Sequence, residues 1–324
     1  MGKSRTDSRV APTPRLFTAL ISVLRDFLST GRLPKLPKKA LSPQIIKQDN
    51  GFFIPDLGIA VDRSEHAFFL DNLSICRDLR GFGVVFSNEA GTIIGRWRDI
   101  RFVVDDLCSL LTAREIFGEN IYGFEYGKSA VVLDIGMNVG LASLYFASVP
   151  TIRKVYGYEP FSYTFQKALS NIGLNPSLMG KIVANNTGVA GSQRTEDVSF
   201  NHQDHTSMGI HGVVEEHGVN LELTKIVRIQ LEDISQVISR TRNEHPGTDI
   251  IVKMDCEGSE YEIVEKMKKD VLLRDVTHFQ IEWHIFSAAD DPSNIISALR
   301  ESGFFCNRTQ KSPSLGMIFA SRLN

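Results

Sequence analysis

The ten residues Val131–Gly140, VVLDIGMNVG, constrain this chain more than any other stretch. Val131–Asp134 is a short apolar, largely β-branched run that ends in a carboxylate, the pattern of a parallel strand buried on both faces. Gly136 and Gly140 then bracket a turn into LASLYFASV, an apolar helix. Glycine accepts positive φ and close backbone approach without a Cβ penalty. Strand, glycine turn and helix make the first unit of a doubly wound α/β domain, whose ligands sit beyond the carboxyl ends of the strands.

A dinucleotide-binding turn carries G-x-G-x-x-G. Here Asp134 stands at the first glycine position, giving D-x-G-x-N-x-G. A carboxylate there repels a pyrophosphate but suits a ligand bearing cations and hydroxyls. S-adenosylmethionine (SAM) is such a ligand, with an ammonium, a sulfonium and no phosphate. Val155–Tyr158 reads as the second strand and ends in Glu159-Pro160. An acidic residue at that point is placed to accept the ribose hydroxyls. The two features together predict SAM as cofactor. Two alternatives stay open: an NAD-dependent oxidoreductase, disfavoured by the missing first glycine, and a SAM-binding partner module without turnover.

Composition narrows the partners. The formal net charge of −2 provides no basic footprint for a nucleic-acid backbone. The four cysteines, Cys76, Cys108, Cys256 and Cys306, form no C-x-x-C pair. That argues against a disulfide scaffold or zinc site and makes a reducing cytoplasm the expected location. No apolar run has the length of a membrane span. Phe17–Leu24 is followed at once by Arg25-Asp26, without the small-residue cleavage site of a signal peptide.

Three segments follow from the pattern. Residues 1–50 comprise a basic tail, an amphipathic helix and a linker punctuated by Pro34, Pro37 and Pro43. In residues 15–29, Leu16, Leu20, Val23, Leu24, Phe27 and Leu28 share one helical face. That face suits the rest of the protein, a partner subunit or, as a peripheral contact, a membrane surface. Residues 51–128 read as a small α+β cap, with strands at 84–86 and 92–97 and a helix over 102–117. Glu115, Tyr122 and Tyr126 lie just before the cofactor strand and read as packing and capping residues near a pocket mouth. Residues 129–324 are the cofactor-binding α/β domain.

Within that domain, Ile182–Asn185 is the third strand, with Asn186 at its end. Strands near 198–200 and 226–229 flank a loop holding His202, His205 and His211, whose spacing fits no standard ligand set, so no metal is expected. A helix follows over 231–242. Asp249–Met254 ends in Asp255-Cys256-Glu257-Gly258, and Thr277–Ile281 ends in Glu282-Trp283-His284. Phe304-Phe305 and Leu315–Ala320 read as closing strands, antiparallel at the sheet edge. Asp134, Glu159, Asn186, Asp255 and Glu282 thus gather at the carboxyl ends of predicted strands, where this architecture places its ligand.

Five motifs in order, LDIGMNVGLASLYFA, YEPF, VRIQLEDI, IVKMDCEGSEYEIVEKM and IEWH, resemble the FkbM family of SAM-dependent methyltransferases over roughly residues 115–320. The resemblance implies an α/β fold: a doubly wound, mostly parallel, seven-stranded Rossmann-like class I methyltransferase sheet. It implies O-methylation of a hydroxyl on a sugar, glycan, lipid or other natural product, with an amine acceptor left open. It also implies that Asp134, Gly136, Asn138 and Gly140 hold the methionine end of SAM. Glu159 would bind the ribose, and Asn186 would lie near the adenine. Asp255 and Glu257 would face cofactor and acceptor, and His284 the acceptor. As proton acceptor His284 comes first, because an unperturbed imidazole titrates near pH 6.5. Glu257 comes second, and Asp255 is expected to orient cofactor or substrate.

Overall fold

The computed structural model describes residues 45–48, 51–62, 66–123, 125–202, 209 and 224–322. The expected helix at 15–29, the proline-punctuated stretch, His205 and His211 lie outside the described residues.

The chain builds two small antiparallel sheets before the α/β domain. β1 (Ile46–Gln48), β2 (Gly51–Ile54) and β3 (Ile59–Val61) form the first, which begins inside the segment expected as linker. α1 (Ala67–Asp71) and α2 (Leu73–Gly81) lead to β4 (Val85–Glu89), β5 (Thr92–Trp97) and β6 (Ile100–Val103), the second sheet. α3 (Leu107–Ala113) then runs into a π-helical turn, Arg114–Gly118.

The sequence predicts one helix over 102–117. The structure instead spends Ile100–Val103 on a strand and starts the helix at Leu107, where the Asp106 side chain accepts a hydrogen bond from Ser109 N. The reason is non-local. Asn171 Oδ1 accepts from Val103 N at 2.8 Å, and Asn175 accepts from Arg101 N while donating to Arg101 O. These two side chains, from α5 (Ser162–Gly173) and the residues just after it, satisfy the outer edge of β6.

The main sheet comprises β7 (Ala130–Ile135), β8 (Ile152–Tyr158), β9 (Ile182–Asn185), β13 (Asp249–Met254), β14 (His278–His284), β15 (Phe305–Ser312) and β16 (Leu315–Ser321). Their order across the sheet is β15-β16-β14-β13-β7-β8-β9. β7, β8, β9, β13 and β14 pair in parallel, and β16 runs antiparallel to both neighbours. β16 is therefore inserted one place in from the edge. Its hairpin partner β15, longer than the sequence suggests, takes the outside.

Every residue of β7 is buried, as a central strand covered on both faces requires. α4 (Leu141–Ser148) is apolar all round, with Leu141–Ala147 buried, because it lies under the cap as well as against the sheet. α6 (Pro176–Met179), α7 (Ile234–Glu244), α8 (Glu260–Lys269) and α9 (Pro292–Glu301) complete the helices named here. A separate sheet, in the order β10 (Gly188–Ala190), β12 (Thr224–Asp233), β11 (Arg194–Asn201), contains the strands expected near 198–200 and 226–229, both longer than expected, and adds β10. Among the described residues no helix is long and apolar enough to cross a membrane.

The chain moves outward from β7 through β8 to β9, then returns to place β13 on the other side of β7. The boundary between β7 and β13 is the switch point, where such sheets open a crevice for ligands.

Candidate active site

The turn after β7 forms as its glycines predict. Gly136 has φ +76° and Gly140 has φ +82°. A Cβ on Gly136 would overlap the carbonyl oxygen of Asp255, so this close crossing of two loops admits only hydrogen there. Gly136 N and Met137 N both donate to Tyr158 O, at 3.1 and 2.8 Å, which ties the turn to β8. Asn138 adopts φ +54°, the left-handed region that asparagine tolerates better than most residues. Its N–H donates to Glu159 Oε2 at 3.0 Å, and Phe161 N donates to Oε1 at 3.0 Å. Both carboxylate oxygens are thereby aimed, and each keeps further acceptor capacity. Burial pushes the Glu159 carboxyl up to about 7, against the opposing pull of those two N–H groups.

Two cavities flank this turn and share Gly136, Asn138, Asp255 and Glu257 in their walls. The narrower, about 40 Å³, is also lined by Glu159, Pro160 and Val189. The larger, about 270 Å³, reaches Glu282, His284 and Phe286 on one side and Glu115 and Tyr122 of the cap on another.

Asp134 lies behind these walls. It is fully buried, accepts from Ser143 Oγ at 2.6 Å and pairs with Lys253 Nζ at 3.0 Å. Its place is that of an anchor for the cavity wall. Asn186 lines neither cavity. It is exposed, accepts from Ser162 Oγ and donates to the carbonyls of Glu159 and Pro160. It thus fixes the bend that carries Glu159.

Lys253 is the residue that reasoning from the sequence missed. Its side chain is 2% exposed yet lines the larger cavity. Its ammonium donates to Gly136 O, pairs with Asp134 and lies 3.9 Å from Asp255 Oδ2. Burial works against the charge, but Asp134 and Asp255 prevail and hold its pKa above the ordinary lysine value. The available signal was a lysine inside the otherwise apolar strand IIVKM, since such a residue is almost never buried without a partner. Glu115 and Tyr122 also reach the larger cavity, and the Tyr122 hydroxyl donates to Asp255 Oδ2 at 3.1 Å. Tyr126 does not reach it; its hydroxyl bonds Asp249, at the opposite end of β13.

His284 sits between two carboxylates. Nε2 is 3.4 Å from Glu257 Oε2, and Nδ1 is 3.3 Å from Glu260 Oε1. Glu260 is fully buried and also accepts from Cys256 N and Gly258 N, which shapes the loop after β13. Burial disfavours the imidazolium, but Glu257 and Glu260 outweigh it and push the His284 pKa up to about 10. Burial raises Glu257 to about 8, with His284 opposing. Asp255, Glu257 and His284 bring one ligand atom each within 4.8 Å of one another, the one grouping with metal-ligand spacing among the described residues. Both ring nitrogens of His284 face carboxylates, Nε2 that of Glu257 and Nδ1 that of Glu260.

These shifts make a stability prediction. Glu159, Glu257 and Glu282 have folded pKa values raised by burial to about 7, 8 and 7. A raised folded pKa favours the protonated native state. Its stabilisation is present below the unfolded value and is lost as pH climbs through the folded one. His284 acts in the same direction. The ligand-free protein is therefore expected to melt at a lower temperature at pH 8 than at pH 5. Glu159 alone contributes at most about 3 kcal/mol of that change. Thermal unfolding across this range checks it, with Glu159→Gln giving a flatter profile. A melting temperature that rises toward pH 8 rejects it.

A glycine turn, an aimed acidic residue after the second strand and a carboxylate-lined cavity at the switch point of this sheet define a Rossmann-like class I methyltransferase. The chain belongs to the FkbM methyltransferase family, its residues 134–306 matching the methyltransferase FkbM domain. Among solved structures it is similar to methyltransferase FkbM from Methylobacillus flagellatus KT, at 14% identity and a TM-score of 0.40 over 78% of this chain and 60% of that one. It is also similar to the human methyltransferase 10 domain containing protein, at 11% identity and a TM-score of 0.37, over 80% of this chain and 98% of that one. A third, M. capricolum TrmK, was solved with S-adenosylhomocysteine; it shares 10% identity over 64% of this chain and 67% of that one, with a TM-score of 0.34. No curated protein sequence matches this chain.

Proposed function

We propose that this protein methylates a hydroxyl of a sugar, glycan, lipid or other natural product, using SAM. The observation that carries the reading is the convergence of Asp255, Glu257 and His284 on the same cavity as the turn Gly136–Asn138. The residues fit the cofactor. Gly136 lets the loop of Asp255 cross close against the turn at the cavity wall, and Glu159 presents two aimed oxygens to a pair of ribose hydroxyls. Gly136, Asn138 and Asp255 would hold the methionine end. When bound, SAM supplies a sulfonium-activated methyl group.

The chain's own task is to orient the acceptor oxygen and to take its proton. Orientation in a closed cavity carries much of the rate. A hydroxyl is a weak nucleophile at neutral pH, so a positioned proton acceptor adds to it. His284 is the first choice on intrinsic pKa, but its surroundings favour the charged ring, which has no lone pair to offer. We assign proton removal to Glu257. His284 orients that carboxylate and offsets its charge, and Glu260 secures the ring from behind.

Isothermal titration tests the cofactor step. Saturable SAM binding is expected, and its absence at millimolar SAM in folded protein rejects the reading. Glu159→Ala is expected to weaken SAM by about 1.5–3 kcal/mol, the scale for hydrogen bonds to a charged group. An unchanged dissociation constant refutes the ribose role.

A further inference from the structure

Resting on that reading of the site, we infer that the acceptor presents its hydroxyl on a neutral or cationic polyol ring, and that the cavity excludes a ring bearing phosphate or carboxylate. Four carboxylates line the larger cavity: Glu115, Asp255, Glu257 and Glu282. Among the described residues its ionisable cations are Lys253 and His284, and no described arginine lines it.

Both cations are already paired. Lys253 is held by Asp134 at 3.0 Å and by the Gly136 carbonyl. His284 lies between Glu257 and Glu260, at 3.4 and 3.3 Å. A third cation, Lys311, stands behind the wall, 3.0 Å from Glu282 and 3.7 Å from Glu115. Above about pH 8, where Glu257 and Glu282 are ionised, an anionic acceptor would meet like charge and would have to break an existing pair to find a partner, and like charges brought together in a partly desolvated site repel strongly. Hydroxyls, in contrast, are donors, and carboxylates are the acceptors that suit them. The wall also carries Phe286, whose ring stacks on His284 with centroids 5.8 Å apart. The amino group of an aminosugar would be welcomed by the carboxylates of this wall.

The test uses the full chain loaded with S-adenosylhomocysteine, after SAM binding has been measured on the same preparation. The probes are matched rings: methyl hexosides, hexosamines, hexose 6-phosphates and hexuronic acids. Binding is read by titration at pH 9, above the raised values of Glu257 and Glu282, and at low salt, where charge effects are least screened. Neutral or amino rings are expected to bind about tenfold or more tighter than the phosphates and uronates. Glu115→Arg, at the half-exposed rim, is expected to cut that preference to about threefold or less, a response that mere steric exclusion would not produce. Equal or better binding of the anionic rings overturns the inference, as does failure of any neutral or amino ring to saturate the site. Loss of SAM binding instead fails the cofactor reading, so the two failures are told apart.

Discussion

Replacing Glu257 by Gln is expected to lower methyl transfer by about 10³-fold while SAM affinity changes by less than about threefold, the range for removing a positioned proton acceptor. Glu257 holds φ +53° in the loop after β13 and lines both cavities. Glutamine keeps the shape and removes the basic oxygen. The base must be ionised to act. With burial raising Glu257 to about 8, turnover is expected to rise with pH through about pH 8. His284→Gln removes the cation that opposes this shift, so the rising limb should move to higher pH. Turnover at pH 7 should then fall by about tenfold, the cost of roughly one pKa unit of further mismatch. The measurement is the pH profile of kcat for the wild type and both variants. If Glu257→Gln keeps near-normal turnover while His284→Gln loses its pH-dependent limb altogether, the roles are exchanged and His284 is the base.

Lys253→Met is expected to destabilise the fold by about 3–5 kcal/mol, because it leaves Asp134 as an uncompensated charge in the core. Asp134 has no exposed surface, and Lys253 is its one cationic partner among the described residues. The same ammonium holds Gly136 O, so the turn beneath the cofactor should loosen and SAM affinity should fall as well. The double variant Lys253→Met/Asp134→Leu removes both charges and is expected to recover most of the lost stability, since a buried pair is commonly replaceable by apolar residues. It is not expected to recover SAM binding, because the hydrogen bond to Gly136 is still absent. Denaturant unfolding and titration calorimetry on the three proteins check this. A cost below about 1 kcal/mol for Lys253→Met would show that the pair is not a structural requirement.

What the sequence determined by itself is the set of features that depend on neighbouring residues. Gly136 and Gly140 announce their left-handed backbone because only one side chain, hydrogen, is cheap there. The apolar runs at 131–135 and 250–254 declare central strands because burial on both faces demands them. Alternation of those strands with helical runs then implies a parallel sheet, and the carboxylates at strand ends mark the crevice.

Only the tertiary structure decided what surrounds those carboxylates. Asp134, expected as a cofactor ligand, is fully buried, lines neither cavity and pairs with Lys253, a residue of another strand. His284 has the intrinsic pKa of a base. Its charge is set by Glu257 and Glu260, which reach it from the loop after β13 and from the start of α8. β6 escaped prediction for the same kind of reason: part of its backbone hydrogen bonding comes from Asn171 and Asn175, about 70 residues away. A local pattern fixes backbone conformation and burial, because those follow from steric limits and periodicity. Protonation state and hydrogen-bond partners depend on which distant groups the fold brings within a few ångströms, and in a low-dielectric interior those few groups outweigh a residue's own tendency.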